Sequence, residues 1–81
     1  MTRAEEKKLC AAIRMCNMYT NALGDIIDTG RKNSALYKRA LNAESRLSRL
    51  VRCEESIGMA EDPLYELSAT IHEYETRIAA R

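Results

Sequence analysis

The sequence predicts an all-α fold: an antiparallel three-helix bundle, or a long helical hairpin with a shorter third helix, completed by dimerisation. Three observations carry that prediction. Ala, Leu, Glu and Arg dominate the composition and all favour helix. Apolar residues recur at 4-3 spacing in three separate stretches and nowhere alternate over a strand's length. The breakers Asp28-Thr29-Gly30, Gly58 and Asp62-Pro63 fall between those stretches.

At 81 residues the chain reads as a single helical domain over 1–81. That is close to the size at which one core barely outweighs chain entropy, so a second subunit, a metal or disulfides would be expected to help.

The first helix is expected over about 3–28. Thr2 and Glu5 form a capping-box pair, in which the hydroxyl accepts an early helix N–H and the carboxylate reaches back. Leu9, Ile13, Cys16, Thr20, Leu23 and Ile27 make the stripe. Ala12, Tyr19 and Ile26 flank it, with Ala11, Met15 and Ala22 further round, so the apolar arc exceeds the roughly 100° of an ordinary surface helix. Such a helix needs cover from two sides. Ile13, Met15, Tyr19, Leu23 and Ile26 are therefore the expected oligomer interface, with a homodimer favoured.

The second helix is expected over about 34–57, capped by Asn33 or Ser34. Its stripe is Leu36, Ala40, Ala43, Leu47, Leu50 and Ile57, and Gly58 stands where a left-handed C-cap belongs, with Met59 folding back. The third helix is expected over about 63–80, opened by Asp62 as N-cap and Pro63 at the first position. Leu64, Leu67, Ile71, Tyr74 and Ile78 carry its stripe.

A formal net charge of +1 hides two blocks of opposite sign. Residues 29–53 hold seven bases (Arg31, Lys32, Lys38, Arg39, Arg46, Arg49, Arg52) against Glu44 alone, and 54–76 hold seven acids and no Lys or Arg. Within the basic block, Arg39, Asn42, Arg46 and Arg49 share one side of the second helix, with the apolar arc expected roughly opposite. Arg31, Lys38, Arg39, Arg46, Arg49 and Arg52 are the expected partner-binding residues.

Catalytic, cofactor-binding and metal residues are not expected. His72 is the only histidine, no second His or Cys pair stands at ligand spacing, and adjacent carboxylates such as Glu5/Glu6 splay apart on a helix. The odd count of three cysteines suits a reducing compartment, and no segment resembles a leader or a membrane span, so a cytoplasmic chain with no membrane partner is expected.

These features point to a non-enzymatic protein–protein interaction module: a small self-associating adaptor, regulator or inhibitor that binds a larger partner. Two alternatives stand beside it. One is nucleic-acid binding through the basic face of the second helix, disfavoured by near-neutral charge and the lack of a stacking platform. The other is a purely structural homodimer whose charge blocks pair between subunits.

Overall fold

A computed structural model describes residues 2–51 and 57–79. They form three helices, with no strand among the described residues: α1 (Arg3–Thr29), α2 (Ser34–Leu50) and α3 (Ile57–Tyr74), the last continuing into a π-helical segment, Glu75–Ala79. The helices pack against one another as a helical bundle. It is slender, 44 × 16 × 15 Å, and its radius of gyration of 13.2 Å exceeds the roughly 12 Å of a compact chain of this length.

Local chemistry sets the first two helices. Thr2 caps α1 by accepting the Glu5 N–H at 3.2 Å. The Glu5 carboxylate does not reach the backbone; it accepts the Thr2 hydroxyl at 3.0 Å, which locks the cap rotamer instead. α1 ends at Gly30, whose φ of 72° is the left-handed conformation that favours glycine, and whose N–H donates to the carbonyls of Ile26 and Ile27. Asn33 then caps α2 by accepting the Leu36 N–H at 3.1 Å. Between Gly30 and Asn33 there is room only for a tight reversal, so α1 and α2 run antiparallel. The pairs Tyr37–Glu75 and Ser68–Glu44 show the same sense for α2 and α3.

The second half departs from expectation in three places. First, α2 stops at Leu50, with Val51 as its cap, short of the expected 57; Arg52, Cys53, Glu54 and Glu55 lie outside the described residues. Second, Gly58 is not a C-cap: it sits in the first turn of α3, and Gly30 is the one positive-φ glycine among the described residues. Third, Asp62-Pro63 does not open α3 but lies inside it. The reason is Ala60. It is fully buried and extends the stripe one step upstream, giving Ala60, Leu64, Leu67, Ile71, Tyr74 and Ile78 at 4-3-4-3-4 spacing. Pro63 has no N–H for the ladder, an interior position costing about 3 kcal/mol. Packing along that longer stripe offsets it. At the other end the coil widens over Glu75–Ala79 while keeping Ile78 in the core.

Both α2 and α3 pack on α1. Leu9, Ala12, Cys16, Leu23 and Ile27 are buried within the single chain, and Ile13, Tyr19 and Ile26 are partly buried against the same core. Leu23, expected at a subunit seam, is therefore an interior residue: it is completely buried within the single chain. Ala40, Ala43 and Ala60 lie opposite, small enough to let the helices approach closely. What remains outside on α1 is narrower than the sequence implied. Met15 and Met18 are 41% and 50% exposed.

Candidate protein-interaction groove

α1 and α2 leave a trough along their outer line of contact. Two adjoining hollows of about 210 and 340 Å³ form it, sharing Ala12, Met15 and Arg46. From α1 come Lys8, Ala11, Ala12, Met15 and Tyr19; from α2 come Arg39, Asn42, Ala43, Arg46, Arg49 and Leu50. The floor is apolar and one wall is a row of guanidinium groups. That arrangement follows from helical periodicity: 8, 12, 15 and 19 share one side of α1, and 39, 42, 46 and 49 share one side of α2.

Contrary to expectation, the arginine row is not opposite the apolar arc: at about 100° per residue, Arg39 and Arg46 lie within about 60° of Ala43. It borders the α1 contact, because α1 packs to that side. Two sets of residues chosen from the sequence for separate roles thus meet in one place: Arg39, Arg46 and Arg49 from the partner surface, Met15 and Tyr19 from the expected seam. Ile13 and Ile26 do not line it, and Leu23 is core. Lys38 is exposed on α2, Arg31 is exposed in the α1–α2 connection, and Arg52 is outside the described residues. Lys8 was missed by sequence reasoning. Its spacing to Met15 would have found it once the α2 side of α1 was known.

Among the described residues, the charge lining the trough is uncompensated. Lys8, Arg39, Arg46 and Arg49 line it with no carboxylate among the lining residues. Among the described residues, none of these cations takes part in an ion pair; the pair found there is Arg77–Glu73 at 2.9 Å on α3. Arg46 and Arg49, three residues apart, repel one another slightly. Glu44, the one acid of the basic block, points away from the row toward α3, where its carboxylate accepts the Ser68 hydroxyl at 2.7 Å.

Elsewhere, polar groups are used internally. The Tyr37 and Tyr74 rings stack with centroids 5.1 Å apart. Tyr74, 1% exposed, accepts the Asn33 N–H through its hydroxyl at 3.0 Å and so fixes the α1–α2 connection to the end of α3. Tyr37 donates its hydroxyl to Glu75 at 2.6 Å, and this bond, with burial and the nearby carboxylate, raises its pKa above the ordinary tyrosine value. Cys16, fully buried, directs its thiol to the Ala43 carbonyl at 3.5 Å. Burial, then the Glu44 carboxylate, pushes that thiol up to about 11, so it is a core group and a poor nucleophile.

The acids of α3 make the opposite kind of surface. Glu61, Asp62, Glu66, Glu73 and Glu75 are all exposed. Tyr65 and Met59 stand among them at 74% and 46% exposure. His72 is exposed on the same helix. Among the described residues, no three His, Cys, Asp or Glu side chains come close enough to hold a metal ion, and no helix is long and apolar enough to cross a membrane.

Comparison with protein-family models, curated proteins and solved structures finds no match to this chain.

Proposed function

We propose that the chain is a non-enzymatic protein-interaction module whose α1/α2 trough receives an acidic amphipathic helix. The observation that supports this reading most strongly is the shared lining: Met15, Ala11 and Tyr19 form an apolar floor beside Arg39, Arg46 and Arg49. A helix laid in such a trough buries apolar side chains spaced three and four apart on the floor. Carboxylates on its flank meet the guanidinium wall, where forked donors match carboxylate oxygens. The repulsion stored along the row falls as each carboxylate arrives. An adaptor, a regulator and an inhibitor all use binding of this kind, and a reducing, cytoplasmic setting fits the free thiols of Cys10 and Cys16.

The Arg row alone would also suit phosphate. The apolar floor favours protein, because a nucleic-acid backbone has nothing to place against Met15 and Ala11. The test uses a fluorescent helical peptide with a Leu/Met face flanked by glutamates, and in parallel an oligonucleotide. Peptide binding that is lost in Met15→Asp and in Arg46→Glu supports the reading. Oligonucleotide binding that is tighter than peptide binding, falls steeply with salt and ignores Met15→Asp would overturn it.

A further inference from the structure

We propose that the occupant of the trough is the acidic outer face of α3 from a second copy of this chain. This deepens the reading above and rests on it. The chain itself carries the ligand that the trough calls for. Asp62, Glu66 and Glu73 share one exposed side of α3, with Met59 on one flank of that row and Tyr65 on the other. An exposed tyrosine and methionine beside a carboxylate row is the apolar-plus-acidic pattern that complements an apolar floor beside an arginine wall.

The spacings agree. Arg39 and Arg46 are seven residues apart on α2, and Glu66 and Glu73 are seven apart on α3. Each step is about 10.5 Å along a helix, so two carboxylate–guanidinium pairs form together whichever way the incoming helix runs. Glu73 leaves Arg77 to do so, but that pair is more than half exposed at Arg77 and half exposed at Glu73, and pairs of that kind hold weakly. Tyr65 or Met59 then lies over the floor at Met15, with Tyr65 able to stack on the Arg46 guanidinium.

Geometry also dictates the kind of assembly. The trough is made by α1 and α2, and α3 packs on their other side, so donor face and acceptor trough point in opposite directions. A copy docked in one trough leaves its own trough free. The contact is therefore heterologous and adds copies in series. A two-fold dimer with trough against trough would set Arg39, Arg46 and Arg49 near their own counterparts, and like charge opposes it.

Sedimentation velocity of the full chain at low salt tests this. Mass should rise steadily with concentration past a dimer and fall with added salt. Glu66→Arg with Glu73→Arg, or Arg39→Glu with Arg46→Glu, should each weaken association about tenfold or more. Mixing the two variants should restore it, because each then presents the charge the other needs. A dimer that stops at two, or association indifferent to both reversals, overturns the proposal. A wild-type chain that stays monomeric yet binds the acidic peptide overturns self-docking and leaves the trough as a site for a foreign helix. A chain that does neither overturns both.

Discussion

α2 has two polar sides built on different principles: one is closed by partners within the chain, the other faces outward. On the side facing α3, Glu44 accepts from Ser68 and Tyr37 donates to Glu75, so each polar group finds a partner in its own chain. On the side facing the trough, Arg39, Arg46 and Arg49 share one side of the helix and have no ion-pair partner among the described residues. A paired group contributes to the stability of the fold. An exposed like-charged row contributes nothing to it and costs a little through repulsion, which is the cost that the proposed acidic partner would remove.

Substitutions can break or sharpen this contrast. The largest effect belongs to the core both sides share. Leu47→Ala should lower stability by about 2–5 kcal/mol, read from the denaturant midpoint. Ser68→Ala should cost about 1 kcal/mol by removing the donor to half-buried Glu44. A neutral result there would mean the α3-facing side is not structural after all.

Tyr37→Phe should lower the midpoint less, and it carries a pH signature. The folded-state pKa of Tyr37 is raised, so its contribution is complete below the ordinary tyrosine pKa of about 10 and is lost as pH climbs through the higher folded value. The gap between wild type and Tyr37→Phe should be constant near neutrality and close in strong alkali. A gap that widens there would reverse the assignment.

The smallest stability effect is expected on the trough side. Arg46→Ala should move stability by no more than about 0.5 kcal/mol, with a slight gain where repulsion with Arg49 is relieved. A loss as large as that of Leu47→Ala would show the row to be structural and would erase the contrast.

What the sequence could show depended on whether the cause was local. Thr2, Gly30 and Asn33 act on backbone groups a few residues away, and each lies where its chemistry placed it. Spacing is local too, and the stripe positions Leu9, Cys16, Leu23, Leu47, Leu67 and Ile71 are all core. The failures came where tertiary packing overrode a local signal. Asp62-Pro63 has the chemistry of a helix start, yet Ala60 is buried and draws the helix further upstream. Stepping back four residues from Leu64 would have reached it, but a lone alanine is a faint signal beside a proline. Leu23 belongs to the α1 stripe and also to the arc expected to be too wide for one chain to cover; with both other helices packed on α1 it is fully buried. The trough was illegible for a related reason: each wall was visible on its own helix, and only the side on which α1 meets α2 joined them.

Ala43 belongs to the interior and to the trough at once. It is 8% exposed, its carbonyl receives the Cys16 thiol, and its methyl group forms part of the trough floor. Enlarging it would pry the two long rods apart and reshape the floor in the same stroke. The shape of the floor and the stability of the fold therefore cannot be tuned separately at this position, which leaves little freedom there for anything larger than a single methyl.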